Sequence, residues 1–360
     1  MKITVVGGGN IGTQFAVHCK EKKHDVTIYT SRPDEFQTEM HIINEKNEII
    51  HRANGIKATN SSEVAFYGAE LIFITLPAGC MKRIAEQIVQ FANQETKICI
   101  VPGTGGGECA FKECIKKGCI LFGLQRVPSV ARLKEYGHIV CATGYREELF
   151  VAALPKSKGK ECCKLIASLF EMRTTLIPNY LNLTLTPSNP ILHTTRLYSL
   201  FKDYYPGKVY DSIPLFYEEW DDESSELLIK CDAEVQKMCK KLDYFDLSYV
   251  KSLKTHYESE NAQQLTNKIR SITGFKGLKT PSIIDSNGYY LPDFHSRYFT
   301  ADFSFGIVII KQIANFINVE VPNIDKVIDW YDKFKVEKEE FNFADYGISN
   351  YNDLKKYYSI

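Results

Sequence analysis

Short apolar runs, bounded by glycine, proline or polar residues, recur through the first third of the chain. Such runs are typical of strands that are buried on both faces of a parallel sheet. The predicted strands are Lys2–Val6, 25–30, 69–77, 98–101 and 120–123. A helical pattern follows the first run, and another follows the third run at Met81–Phe91. The polar stretch 36–60 predicts further strands and turns. This alternation predicts an α/β domain.

Helical spacing replaces the strand pattern after about residue 150. We interpret residues 176–187 as a short extended linker. The helices predicted from apolar periodicity span 161–171, 224–242 and 303–316. The sequence therefore predicts two domains, an α/β domain over residues 1–175 and a mainly α-helical domain over residues 176–360.

The turn after the first strand has the sequence GGGNIG, which matches the G-x-G-x-x-G pattern of dinucleotide-binding Rossmann domains. Gly7 would allow the tight turn, Gly9 would let a pyrophosphate approach the backbone, and Gly12 would let the helix pack closely on the strand. Backbone N–H groups at Asn10 and Ile11 would face the phosphates at the helix N-terminus. A tight turn in another kind of α/β protein is the structural alternative.

The second strand ends at Ser31 and Arg32, where an NAD-specific site usually carries an acidic residue for the ribose hydroxyls. A guanidinium can pair with a 2′-phosphate through bonds worth roughly 1.5–3 kcal/mol each. The sequence therefore favours NADP(H) as the cofactor and leaves NAD(H) open. A solvated arginine before Pro33 is the alternative interpretation of Arg32.

Ligands of open α/β sheets lie beyond the carboxyl ends of the strands. Leu76 and Pro77 end the third predicted strand, and glycine-rich or polar loops follow Val101 and Gly123. We expect these three loops to converge where a nicotinamide would lie, with Leu76 and Pro77 among the cofactor contacts.

Composition narrows the function classes further. The chain has 44 basic and 44 acidic residues without a long run of either sign, which argues against a nucleic-acid or membrane partner. Its eleven cysteines form no C-x-x-C pair, so their spacing predicts neither a metal site nor a disulfide framework, and we expect a cytoplasmic protein. The acidic residues 221–223 are interpreted as charges at a helix N-terminus.

A nicotinamide enzyme needs a proton donor or acceptor beside the carbon that exchanges hydride, and histidine serves this purpose near neutral pH. Of the eight histidines, His193 and His295 lie in segments with other polar candidates. Asn189 and His193 would share one face of a helix, four residues apart. The residues alone do not distinguish either histidine from a structural one.

At these positions the chain resembles the octopine/nopaline (opine) dehydrogenases, over most of its length. Members of that family reductively condense the amino group of an amino acid with a 2-oxo acid, using NADH or NADPH. The matching segments are GGGNIG at 7–12, RLKEYG at 132–137, PLFY at 214–217, TNK at 266–268, FKGL at 275–278, and PDF at 292–294 through RY at 297–298 to Asp302.

The resemblance implies roles for single residues. The family's catalytic histidine falls on His193, its acidic partner on Asp302 and its arginine on Arg297. His193 would act as acid and base, Asp302 would orient it, and Arg297 would bind a substrate carboxylate. Apart from the resemblance, we expect Asn189 as a further substrate contact. Arg126 and Arg132 are further candidates for a carboxylate contact, and bracing of the loops that carry them is the structural alternative. An ion pair between Arg297 and Asp302 is the structural alternative.

Two other functions stay open at this stage. A 2-oxo acid or hydroxy acid reductase similar to ketopantoate reductase or glycerol-3-phosphate dehydrogenase would share the domain order but need no amine. A non-catalytic NADP(H)-binding sensor would need no acid–base residues. The sequence leaves open the identity of both substrates, the physiological direction, and the choice between monomer and homodimer.

Overall fold

The computed structural model describes residues 1–336 and 339–360. The chain divides into two compact units. The first comprises Met1–Thr184 together with Lys356–Ile360, and the second comprises Leu185–Lys355. The division thus falls a few residues after the expected boundary at residue 175, and the last residues of the chain return to the first unit.

The first unit contains an eight-stranded sheet in which β11 runs antiparallel to β8 and all other neighbours are parallel. The strand order is β12-β11-β8-β7-β6-β1-β2-β5. Because β1, β6, β7 and β8 are parallel neighbours, the loops after them lie at one edge, as predicted. The strands of this sheet are β1 Lys2–Val6, β2 Asp25–Tyr29, β5 Lys57–Thr59, β6 Leu71–Ile74, β7 Lys97–Ile100, β8 Ile120–Leu124, β11 Glu148–Leu154 and β12 Arg173–Leu176.

A second, four-stranded sheet in the same unit has the order β4-β3-β10-β9. The pair β3–β4 lies within the polar stretch 36–60, where the sequence predicts strands and turns, so that prediction is confirmed. The strands of this sheet are β3 Glu39–Ile43, β4 Ile49–Asn54, β9 Val130–Glu135 and β10 Ile139–Thr143.

Helices cover the large sheet of the first unit. Phe15 of the first helix packs on Phe73 and Phe170, with ring centroids 4.9 and 4.6 Å apart. The predicted linker 176–187 is partly wrong, because it contains a helical turn. The helices are α1 Asn10–Glu21, α2 Ser62–Phe66, α3 Met81–Phe91, α4 Gly107–Ala110, α5 Lys112–Lys116, α6 Gly159–Phe170 and α7 Leu181–Thr184.

A buried carboxyl group secures the last residues of the chain in the first unit. Glu108 is fully buried, and the Tyr358 hydroxyl donates a 2.5 Å hydrogen bond to its Oε1. The Tyr357 hydroxyl donates to the Glu108 carbonyl oxygen over 2.8 Å. Burial raises the pKa of the Glu108 carboxyl. These bonds explain why the C-terminal residues belong to the first unit.

The second unit is mainly helical, as predicted, and adds one hairpin of β13 Ser282–Ile284 and β14 Tyr290–Pro292. Its helices are α8 Pro190–Phe201, α9 Asp222–Lys241, α10 Leu253–His256, α11 Ala262–Ser271, α12 Arg297–Thr300, α13 Val308–Phe316 and α14 Pro322–Asp332, while α15 Tyr351–Tyr358 crosses into the first unit. Asp221 caps α9 by accepting the Ser224 N–H over 2.7 Å, which confirms the interpretation of this acidic run. Within the described ranges no helix has the length and apolar character to span a bilayer.

The helix predicted over 303–316 is interrupted at its start. Residues Phe303–Ile307 form a π-helical turn, in which the Ile307 N–H donates to the Asp302 carbonyl over 2.9 Å. Gly306 lies at a close approach to α8, since a β-carbon there would lie 2.9 Å from Cβ of Pro190. Apolar periodicity does not predict such a turn, because it tests only for the 3.6-residue repeat of an α-helix.

The first prediction concerns Gly12 of α1. A β-carbon at this position would lie 1.8 Å from the Gly7 carbonyl oxygen, whereas one at Gly9 would meet no atom within 4 Å. We expect Gly12→Ala to lower the free energy of unfolding by about 3 kcal/mol. The Gly7 carbonyl belongs to the backbone and cannot rotate away from the added methyl group as a side chain would. Gly9→Ala, the matched control, should cost about 1 kcal/mol or less. Urea unfolding followed by circular dichroism measures both, and equal losses would contradict the close contact.

Candidate active site

The glycine-rich turn has the geometry that a pyrophosphate requires. Gly7 has a φ of +101°, in the left-handed region that favours glycine. Its N–H donates to the Tyr29 carbonyl over 2.9 Å, which holds the turn at the end of β1. The open space above Gly9 is the position that a β-carbon would otherwise fill. These features fit the approach of a dinucleotide to the backbone.

The first turn of α1 has no side-chain cap. Backbone N–H groups at Asn10, Ile11 and Gly12 begin the helix, where its dipole favours an anion. The Asn10 side chain is already engaged, because its Oδ1 accepts the Leu133 N–H over 2.8 Å. The Asn10 side chain therefore fixes β9 against α1, and the predicted contact of Asn10 with a phosphate would use its backbone N–H.

Arg32 lies after β2, where the sequence places the contact to the adenosine ribose. Its Cζ lies 3.9 Å from the centre of the Tyr136 ring, and one guanidinium nitrogen is 3.2 Å from Glu35. The side chain remains 55% exposed. Ser31 beside it is exposed. The guanidinium is thus oriented by an aromatic face and partly neutralised by one carboxylate.

The remaining predicted residues of the first unit follow neighbouring strands. Leu76 is half-buried and Pro77 exposed after β6, and Arg126 is half-buried after β8. Sequence reasoning missed Thr75, whose hydroxyl donates to the Val6 carbonyl over 2.9 Å and so ties the end of β6 to β1. Its position at the end of a buried strand was the available signal.

In the second unit, His193 lies on α8 and contacts the carboxylate that the resemblance implies. Its Nδ1 is 2.8 Å from Oδ2 of Asp302. The two side chains are 11% and 18% exposed. An ionised carboxylate only accepts hydrogen bonds, so Asp302 directs the His193 proton to Nδ1 and leaves a lone pair on Nε2.

The other nitrogen of His193 contacts a residue that sequence reasoning did not assign. Nε2 is 2.7 Å from the Tyr217 hydroxyl. Burial raises the pKa of Tyr217 well above its usual range, and Tyr298 nearby adds to the rise. A phenol that stays protonated donates its hydrogen, so Tyr217 donates to the Nε2 lone pair. Tyr217 ends the PLFY segment, which was the available signal.

Aromatic rings surround the imidazole. Tyr298 has its ring centroid 4.7 Å from that of His193, and Phe216 lies at 5.8 Å. Phe275 stacks on Tyr217 with centroids 4.1 Å apart. With these rings around it the His193 side chain is 11% exposed, and limited access of water strengthens its hydrogen bonds.

Arg196, three residues after His193, holds the segment that carries Tyr217. It is fully buried, and its guanidinium donates to the carbonyls of Phe216 and Glu219 over 3.1 and 2.7 Å. It also bonds Asp221 over 2.6 Å. A buried guanidinium whose donors are satisfied by one loop fixes the position of that loop. Sequence reasoning missed Arg196 because burial of an arginine is rare.

The other candidates of the second unit lie nearer the surface. Arg297, at the start of α12, is exposed, with its Cζ 5.7 Å from the centre of the Tyr298 ring. Among the residues that the structure describes, Arg297 forms no ion pair, so the alternative of an Arg297–Asp302 pair is wrong. Asn189 is exposed at the start of α8 and its carbonyl accepts the His193 N–H over 3.0 Å. His295 is exposed.

Comparison with known proteins adds evidence from both halves of the chain. The family described as NAD/NADP octopine/nopaline dehydrogenase, alpha-helical domain, matches residues 176–335. The family described as NAD-dependent glycerol-3-phosphate dehydrogenase N-terminus matches residues 2–108.

Relatives match over nearly the whole chain. Tauropine dehydrogenase of Arabella iricolor is 24% identical, over 92% of this chain and 90% of that protein. Opine dehydrogenase of Haliotis discus hannai is 26% identical with the same coverage of both chains. The structure of an octopine dehydrogenase with NADH and L-arginine has the same fold, with a TM-score of 0.83 at 21% identity, and covers 98% of this chain and 97% of that one. The match over residues 176–335 and the similarity over nearly the whole chain show that the protein resembles the octopine/nopaline dehydrogenases and is an NAD(P)-dependent oxidoreductase.

Proposed function

We propose that the protein is an NAD(P)H-dependent enzyme of opine dehydrogenase type, which reductively and reversibly joins a 2-oxo acid to the amino group of an amino acid. The first unit would bind the cofactor and the second would carry the acid–base chemistry. The observation that carries this proposal is the pair of hydrogen bonds on His193, which leaves its two nitrogens with distinct roles.

The reaction needs one proton at a defined atom. The amino nitrogen forms a bond to the carbonyl carbon, the carbonyl oxygen leaves as water, and the resulting C=N bond takes a hydride at carbon and a proton at nitrogen. NAD(P)H, when bound, supplies the hydride. His193 supplies or accepts the proton, and Asp302 orients its ring through the 2.8 Å contact at Nδ1.

Tyr217 would act as a positioning residue. Its hydroxyl occupies Nε2 of His193, so the imidazole is held by a hydrogen bond at each nitrogen before substrate arrives. Transfer through Nε2 requires the substrate to displace this hydroxyl or to receive the proton through it. Before substrate arrives, the phenol keeps the Nε2 lone pair oriented.

Three residues are proposed to recognise substrate groups. Arg297 is exposed and unpaired within the described chain, so its guanidinium is available for a bidentate bond to a carboxylate. Asn189 lies one helical turn before His193 and offers an amide. Arg126 after β8 is proposed as a further carboxylate contact.

For the cofactor we propose a preference for NADP(H), with NAD(H) also accepted. The support is the Arg32 guanidinium, which follows β2 and is oriented by the Tyr136 ring. Its partner Glu35 is partly exposed, and a 2′-phosphate, which carries more charge, would displace this carboxylate from the guanidinium. We further propose a cytoplasmic protein, since all eleven cysteines are free thiols. Monomer and homodimer stay open.

A 2-oxo acid reductase remains the second candidate, because the family that matches residues 2–108 contains dehydrogenases of another substrate class. A ketopantoate reductase from Ralstonia eutropha also has a related fold, with a TM-score of 0.60 at 12% identity. The opine-type proposal is favoured by the match over 176–335. The requirement for an amine separates the two candidates.

The central prediction is turnover that depends on two substrates. We expect oxidation of NADPH or NADH with a panel of 2-oxo acids only when amino acids are also present. His193→Ala should lower kcat by about 10²–10⁴ because the proton donor is lost. His295→Ala, which removes an exposed histidine of the same unit, should leave kcat unchanged. Cofactor oxidation measures the rates, and the amine-bearing product is identified by mass spectrometry.

Each contrary result has a specific meaning. Turnover without any amine would assign the chain to the oxo-acid reductases. Dinucleotide binding without turnover on the full panel would favour a sensor. Full activity in His193→Ala would exclude this histidine as the acid and base.

A further prediction tests Tyr217. Tyr217→Phe keeps the ring that stacks on Phe275 but removes the hydroxyl. We expect kcat to fall about tenfold, the value of one hydrogen bond, with KM little changed. Tyr205→Phe, at an exposed tyrosine of the same unit, serves as control. A loss of thermal stability with unchanged kcat and pH profile would reduce Tyr217 to a packing residue.

The cofactor proposal is tested at Arg32. Arg32→Ala should lower the ratio of kcat/KM for NADPH over NADH ten- to hundredfold, which is about 1.4–2.8 kcal/mol of lost charge-assisted bonding. Arg52→Ala removes another exposed arginine of the first unit, one that pairs with Glu39, and should leave the ratio unchanged. An equal ratio in wild type and Arg32→Ala would mean that Arg32 makes no contact with a 2′-phosphate.

A further inference from the structure

A cluster of three metal-ligating side chains lies in the first unit, outside every residue assigned above. His18 and Glu21 belong to the last turns of α1, and His51 belongs to β4. One ligand atom from each of the three residues lies within 4.8 Å of the other two. Among the described residues this is the one such group of His, Cys, Asp and Glu with three members.

Secondary structure brings the three together. His18 and Glu21 are three residues apart and so share a face of α1. The imidazoles of His18 and His51 have ring centroids 4.5 Å apart. The Glu21 carboxylate is oriented by two contacts, since its Oε1 accepts the Arg52 N–H over 3.0 Å and its Oε2 is 2.8 Å from Nδ1 of His51.

Packing holds His18 in place and keeps its charged neighbour paired elsewhere. The His18 ring is buried on α1, so its position is fixed before any cation arrives. The positive charge of Lys22 is compensated, because its ammonium pairs with Glu171.

An outer set of polar groups accompanies the cluster. The Tyr145 hydroxyl lies 3.5 Å from Nε2 of His18, and the Gln14 amide donates to that hydroxyl over 3.3 Å. Metal-ligating histidines commonly have their second nitrogen oriented in this way. His51 and Glu21 are 32% and 30% exposed, so a cation and a water ligand can reach the cluster from solvent.

We propose that His18, Glu21 and His51 form a binding site for a divalent cation of the zinc class. Two imidazoles and a carboxylate are a donor set that Zn²⁺ accepts, with solvent in the fourth position. Tetrahedral Zn²⁺ would place its ligand atoms about 3.3 Å apart, so small side-chain rotations suffice. The ion would join the end of α1 to β4 and stabilise the first unit, independently of the proposed reaction.

The test uses the full-length protein, freed of metal by a chelator, with Zn²⁺ and Co²⁺ as the probes. We expect calorimetry to detect one equivalent of Zn²⁺, and Co²⁺ to give a visible spectrum without a thiolate charge-transfer band. His51→Ala and Glu21→Gln, both at partly exposed positions, should each lower the affinity at least tenfold. His18 is left unchanged because its substitution would open a buried cavity.

His295→Ala is the matched control, and it should bind Zn²⁺ like the wild type. Zn²⁺ should also raise the unfolding temperature of the wild type and of His295→Ala more than that of His51→Ala. Undiminished binding in both cluster variants would overturn the proposal. So would a thiolate band with Co²⁺, or half-saturation only at millimolar Zn²⁺. Because no readout uses turnover, failure here is independent of the proposed enzyme function.

Discussion

The contact between Gly12 and the Gly7 carbonyl is the constraint on which the first unit depends. It lets α1 start directly over the end of β1, so the uncapped N-terminus of the helix lies at the edge where four parallel strands end. The same placement lets α1 run between the large sheet and β4, where its last turns carry His18 and Glu21. One close backbone contact therefore positions a phosphate-type site at one end of α1 and a polar cluster at the other.

In the second unit a buried arginine fixes the position of the candidate acid–base residue. Arg196 and His193 lie one helical turn apart on α8, and the loop that Arg196 holds carries Tyr217 back to His193. Removing a buried charge partner leaves the other group unpaired at a cost of several kcal/mol, so this loop has little freedom to move. The imidazole is thus oriented by Asp302 from one side and by a fixed loop from the other, which is the preorganisation that acid–base catalysis needs.

The comparisons with known proteins and the local geometry describe different parts of the chemistry. The comparisons indicate an oxidoreductase that uses a nicotinamide cofactor. The hydrogen bonds on His193 indicate that its Nδ1 carries the proton toward Asp302 and that its Nε2 accepts the Tyr217 hydroxyl.

The sequence by itself determined the strands β1, β2, β6, β7 and β8, the helices α1, α3, α6 and α9, the glycine turn and, through the resemblance, the candidates His193, Asp302 and Arg297. These are local or patterned features, since strand burial, helix period and turn chemistry act over short stretches of chain. Only the tertiary structure distinguished the contact between Asp302 and His193, which the resemblance implies, from the alternative pair of Asp302 and Arg297. Only the tertiary structure showed that the Tyr217 hydroxyl contacts the second nitrogen of His193. It also decided that His18, Glu21 and His51 meet, because helix α1 and strand β4 are distant in sequence and only packing brings side chains from such segments within hydrogen-bond range.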